Sequence, residues 1–352
     1  MSQYPAEPSP QRPGGAPSRP AAHEEERTSR ASRGPSRLAS VTGTYEFGVT
    51  LSLALLIVAV SVWAPRFLST TNLMNVARNF AFNTAAAVGE AFVILAGGID
   101  LSVGSVISLA GVVTPLLLQY GWGLWTAIGA GVAVGALCGL FNGVLVTKAK
   151  MPPLIPTLGM LSIARGLALV ITRGRPITDF GEHGAAFLKL GQGYLFGVIP
   201  YPVVYMALVI FLGWLVLSRT PFGYAIYAIG GNEEASRLAG IPVDRIKTLT
   251  YVISGAVAAL TGILLASRLS VGNATNGQGD ELEVIAAAVI GGISLSGGKG
   301  TVLGVLVGSA IIGVLRNAMV LARVSSFWQE VVIGSVIVLA VLLDRLRYRR
   351  AQ

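Results

Sequence analysis

The side chains able to do chemistry are few, and they sit among apolar neighbours. The chain has one cysteine, Cys138, and two histidines, His23 and His183, too few for a Cys/His zinc site and without a second thiol for an internal disulfide. It contains neither an HExxH pair nor a GxSxG elbow. The run Gly292-Ile293-Ser294-Leu295-Ser296-Gly297-Gly298-Lys299-Gly300 superficially matches a phosphate loop. Its first glycine is one residue too far from Gly298-Lys299, and Gly300 stands where a hydroxyl must reach magnesium. The chain is therefore expected neither to hydrolyse ATP nor to be an enzyme, and no metal or bound cofactor is expected in it. What remains are polar groups inside or beside apolar runs: Asn79, Asn83, Glu90, Asp100, Asn142 and Asn317. Insertion scales put a carboxylate at mid-bilayer near ~2.5–3.5 kcal/mol, so such groups either bond helix to helix or line a path for a polar solute. They are the candidate path residues. Arg165 and Arg316 also fall within apolar runs and are expected to pair or to snorkel.

The elements that must position these groups follow from composition. Of 352 residues, 12% are charged and 53% hydrophobic, against about 25% charged in soluble domains. The expected fold is all-α and polytopic in a membrane. Runs near the roughly 20 residues needed to span number ten: 46–64, 73–95, 103–119, 123–147, 154–172, 201–218, 248–267, 282–296, 301–321 and 327–343. An even count puts both termini on one side. Placing that side in the cytoplasm leaves 17 of the 26 Lys and Arg inside, as the positive-inside rule requires. The net charge of +9 is thus a topology signal, and nucleic acid is not an expected partner. Residues 1–45, with seven prolines, seven serines and six arginines, read as a disordered cytoplasmic tail. Residues 46–345 form the membrane domain, and 346–352 a basic cytoplasmic end. The external loop 173–200 is long enough for a lid or a docking surface.

Glycine marks the interior. Ala96-Gly97-Gly98-Ile99-Asp100-Leu101-Ser102-Val103-Gly104 recurs as Ile290-Gly291-Gly292-Ile293-Ser294-Leu295-Ser296-Gly297-Gly298, an internal repeat in which Gly97, Gly98, Gly291 and Gly292 are expected helix breaks. Matching broken helices are how many transporters line a central path. Gly131, Gly135, Gly139 and Gly143, and likewise Gly300, Gly304 and Gly308, form ridges suited to close helix packing, within the chain or at an interface. In the cytoplasmic loop 219–247, Asn232 is placed to cap a helix of about 233–239. Glu233 and Glu234 suit the positive end of its dipole, and Gly240 with Pro242 stops it. A helix that short is marginal alone and is expected to dock.

Glu234-Ala235-Ser236 followed by Gly240 resembles the EAA-x3-G loop of ABC-transporter permeases, with Ser236 in place of the second alanine. Phe222-Gly223, Ala228-Ile229-Gly230-Gly231-Asn232, the Ala96–Gly104 stretch, Pro153 to Gly159 with Arg165-Gly166, and Gly291 to Thr301 extend the likeness over residues 46–345. Together they resemble the permease subunits of ribose/xylose/galactoside-type ABC importers, in the branched-chain amino-acid and sugar permease superfamily. The resemblance implies a multi-pass subunit of the cell membrane that moves a monosaccharide. It also implies a tandem ATP-binding subunit that holds the ATP and magnesium, a periplasmic or lipid-anchored sugar-binding protein, and a second permease copy, identical or not. Asn232, Glu233, Glu234, Ala235 and Gly240 would then couple to the ATPase. A permease for branched-chain amino acids or another small polar solute, and an ion-coupled secondary transporter using Glu90 and Asp100, are the other readings.

Overall fold

The computed structural model describes residues 45–350. The tail expected over 1–45 lies outside the described residues save for Tyr45, which opens α1 (Tyr45–Trp63). There follow α2 (Thr70–Leu95), α3 (Val103–Gln119), α4 (Leu124–Thr147), α5 (Leu154–Thr172), α6 (Gly184–Gln192), α7 (Tyr201–Arg219), α8 (Pro221–Gly231), α9 (Glu233–Leu238), α10 (Val243–Leu269), α11 (Asp280–Ile290), α12 (Val302–Leu321) and α13 (Ser326–Arg350). A two-residue hairpin, Tyr194–Leu195 with Ile199–Pro200, and α6 occupy the loop expected over 173–200. Helix starts are set by short polar caps: Ser69 accepts from the Asn72 amide, Thr220 from Gly223 and Thr301 from Gly304.

By length and composition, α4, α5, α7, α10 and α12 can each cross a membrane, which makes the chain a multi-pass membrane protein. Helix α2 has 26 residues, but Asn72, Asn75, Arg78, Asn79, Asn83 and Glu90 dilute its apolar content. The run 282–296 does not form a spanning helix. It holds all but the first two residues of the 11-residue α11, about 17 Å at 1.5 Å per residue, and its Gly291 and Gly292 end that helix. The cause lies just upstream, where residues 270–279 descend beside α3 as irregular backbone. Ile177 and Gly272 form a bridge, the Ser108 hydroxyl donates to the Asn276 carbonyl, and Gly277 packs against Gly104 and Ile107. Non-helical backbone among membrane helices is tolerated where protein buries it and satisfies its polar groups.

The core centres on α10, whose buried face runs from Val243 to Ser267. The first glycine ridge packs within the chain. A Cβ at Gly135 would strike the Gly255 carbonyl, one at Gly139 the Tyr251 carbonyl, and one at Gly143 would lie 2.9 Å from Thr248 Cα. Backbones of α4 and α10 thus touch along their length, running in opposite directions. In the second ridge, Gly304 and Gly308 let α12 lie on Ala287 of α11 and on Gly291 just after it.

The break after α2 is held by side chains. From Ala96 the chain turns back on itself, and the Asp100 amide donates to Glu90 Oε1 at 2.9 Å. Asp100 Oδ1 accepts from the Ser102 amide at 2.9 Å and from its hydroxyl, which fixes the start of α3. Asn142 donates to Ser102 Oγ at 3.0 Å, and Ser254 donates to Glu90 Oε2 at 3.5 Å.

Candidate translocation cavity and coupling helix

In the half of the molecule opposite α9 lies a cavity of about 580 Å³, within the range of small-molecule sites. One wall is α2. Asn72, Asn75, Asn79 and Asn83 line it, and their spacing of three, four and four places them on one helical face. Facing them are Ser309, Arg316 and Asn317 of α12, Glu283 and Ala287 of α11, and Arg268 at the end of α10. Gln329 and Glu330 of α13 complete the mouth. The outer rim is therefore built from helix ends, whereas Glu283, Ala287 and Ser309 lie about halfway down.

The side chains divide into paired and free groups. Asn72 and Asn317 exchange amide hydrogen bonds at 3.0 and 2.9 Å, closing α2 onto α12. Glu283, 6% exposed, accepts from Asn83 at 2.8 Å and pairs with Arg316. Among the described residues no side chain engages Asn75 or Asn79, and both line the space with donors and acceptors. An amide offers both hydrogen-bonding senses without charge, which suits a solute bearing many hydroxyls. Arg165 lies 3.9 Å from Glu281, so both membrane arginines have carboxylate partners.

Of the six candidate path residues, Asn79, Asn83 and Asn317 meet at this cavity. Glu90, Asp100 and Asn142 do not; each is at most 1% exposed, in the network that secures the α2–α3 break. Sequence reasoning overlooked Asn72 and Asn75, which continue the spacing of Asn79 and Asn83. It also overlooked Arg268, Glu283, Gln329 and Glu330, whose convergence depends on folding.

At the other end, α9 is a six-residue helix with only Ser236 buried. Asn232 caps it, its side chain accepting from the Ala235 amide at 2.9 Å, and Gly240 turns the chain out of it at φ +82°. Glu233 receives Lys247 at 2.9 Å and Arg237 at 3.3 Å, and Arg237 also reaches Asp244 at 2.9 Å. These pairs fasten the inner side of α9 to the start of α10. Glu234, Ala235 and Leu238 are left exposed, Leu238 at 85%.

The fastening depends on pH. The hydrogen bond from Lys247 holds the Glu233 carboxyl below its ordinary value of 4.5. A carboxyl lowered in the folded state stabilises fully above its unfolded value and loses that contribution as pH falls through the folded one. A spin label at Leu238→Cys should therefore gain mobility only when pH drops below about 4.5. In Glu233→Gln the label should already be more mobile at neutral pH, and the further gain in acid should be smaller, since only the Arg237–Asp244 pair remains to be lost. A label with equal mobility in both proteins at pH 7 would contradict the role given to this pair.

Residues 72–341 match the family model described as "Branched-chain amino acid transport system / permease component". The chain belongs to this permease family. Among its relatives, the permease is 46% identical over 300 residues to the ribose import permease protein RbsC of Bacillus subtilis, covering 85% of this chain and 92% of the relative. It is 43% identical to RbsC of Escherichia coli K12, over 84% and 92% of the two chains. It is 39% identical to the L-arabinose transport system permease protein AraH of the same strain, over 86% and 92%. No solved structure matches the permease. The residues that line the cavity and those of α9 fall within the matched span.

Proposed function

We propose that the permease is the membrane subunit of an ATP-driven importer that carries a pentose or a closely similar monosaccharide. The likeness to ribose import permeases over nearly the whole chain carries this reading. The asparagine face of α2 supports it, because it offers neutral hydrogen-bonding groups at successive depths. Val76, Phe80, Ile312 and Val320 also line the cavity, so the preference for a sugar over a branched-chain amino acid rests on the relatives and on the asparagine face together.

With α9 in the cytoplasm, and with residues 270–301 making the remaining crossing as irregular backbone plus α11, both termini are cytoplasmic and the cavity faces outward to receive sugar from a binding protein. A tandem ATPase docks on α9 of two permease copies and supplies the ATP and magnesium chemistry. The permease's own residues bind, orient and release the sugar.

Proteoliposomes holding the permease with a partner ATPase and a sugar-binding protein test the proposal. ATP should drive uptake of radiolabelled ribose or arabinose, with leucine excluded. Uptake that continues without the ATPase but collapses with a proton or sodium uncoupler would overturn it.

A further inference from the structure

The two glycine breaks meet each other, and α8 meets both. The Gly298 amide donates to the Leu95 carbonyl at 3.0 Å, which joins the break after α11 to the end of α2. Gly230, in the last turn of α8, sits directly on this junction. A Cβ there would collide with Leu95 O and Gly298 N, and would stand 3.1 Å from the Gly297 carbonyl carbon. Gly297 has φ +83°, and its own Cβ position lies 2.9 Å from Gly230 Cα and 3.1 Å from Gly97 Cα. Tyr227, one turn earlier, donates its hydroxyl to the Gly300 carbonyl at 2.8 Å. Only Gly231 and Asn232 separate this point from α9.

Leu95 ends α2, the asparagine wall of the cavity. Residues 291–301 join α11, which carries Glu283, to α12, which carries Arg316 and Asn317. Both walls therefore converge on one spot, where backbones touch without intervening side chains. Contact of that kind has no rotamers to absorb a displacement, so a rigid shift of α8 must be passed to both walls.

We propose that Gly230, seated against Leu95, Gly297 and Gly298, is the positioning residue through which movement of α9 opens and closes the cavity. This rests on the importer reading above. Docking of the ATPase moves α9, α8 moves with it, and the paired ends of α2 and α11 are driven apart or together. Gly230 touches no sugar and acts only through these two breaks.

Adjacent glycines supply the test. Gly230 has no room for a methyl group, whereas a Cβ at Gly231 meets nothing within 4 Å. Neither adopts a positive φ, so alanine differs between them only in steric fit. In proteoliposomes with the partner subunits, Gly230→Ala should lower the sugar moved per ATP at least about tenfold, equivalent to about 1.4 kcal/mol. Binding-protein docking should be retained, and ATP hydrolysis should no longer respond to sugar. Gly231→Ala should behave as wild type. Tyr227→Phe, which keeps the ring and removes the bond to Gly300, guards against a misfolded Gly230→Ala and should lower the same ratio about threefold. A wild-type ratio in Gly230→Ala, an equal loss in Gly231→Ala, or an unchanged ratio in Tyr227→Phe where Gly230→Ala does not assemble, would overturn the proposal. Failure of the unmodified assembly to take up sugar would instead remove the importer reading.

Discussion

Glu234→Arg and Leu238→Asp are each expected to give a permease that inserts normally but supports sharply reduced ATP-driven uptake. The inner side of α9 is held by Glu233, Arg237, Lys247 and Asp244, and neither substituted residue belongs to that set. Glu234 and Leu238 face away from the permease, and an apolar side chain that is 85% exposed gains nothing from its own chain. Six residues cannot sustain a helix in water alone, and here the cap, the ion pairs and the Gly240 turn hold the shape in readiness for a partner. A central interface contact contributes about 2 kcal/mol or more, so either substitution should weaken capture of the ATPase roughly 30-fold. Affinity measured with purified subunits, alongside uptake, checks this. Normal capture and normal uptake in both variants would show that the ATPase docks elsewhere.

How far this element was legible in sequence has a local explanation. Asn232, Glu233, Glu234 and Gly240 specify a start and a stop within nine residues, and capping depends on neighbours in the chain. The spans were legible for a similar reason, since each is an apolar run that needs no partner to be recognised. The glycine ridges were legible as surfaces for close packing. Their partner, α10 for the first and α11 for the second, is a tertiary fact. The run 282–296 shows where hydropathy misleads. Val284, Ala286, Ala287, Ala288, Val289 and Ile293 are apolar because protein buries them, a composition that a half-length helix shares with a spanning one. Glu283, Arg316 and Asn83 illustrate the other limit. They come from three helices, and no spacing along the chain encodes that Glu283 accepts from both of the others. Glu90 and Asp100 were conspicuous as buried acids. Their task is local, because the break after α2 exposes amides that only nearby acceptors can satisfy.

The Glu283–Arg316 pair gives the second large effect. Arg316→Met removes the cation from a carboxylate that is 6% exposed, leaving Asn83 as its remaining partner at 2.8 Å. Breaking a fully buried pair from one side costs about 3–5 kcal/mol. The Arg316 side chain is 43% exposed to the cavity, so water already screens part of the attraction, and about 2 kcal/mol is expected. The thermal midpoint in detergent should fall, and uptake should drop at least tenfold. Glu283→Gln combined with Arg316→Met tests which loss follows from which contact. A neutral amide at position 283 needs only hydrogen bonds, and Asn83 supplies one, so the double variant should recover most of the midpoint. If the pair merely holds α11 to α12, uptake must return together with stability. The expected result is that it does not. Arg316 stands across the cavity from the free amides of Asn75 and Asn79, and its guanidinium carries more donors than Glu283 can occupy. Those donors are available to a hydroxylated solute passing between α2 and α12, and methionine offers none.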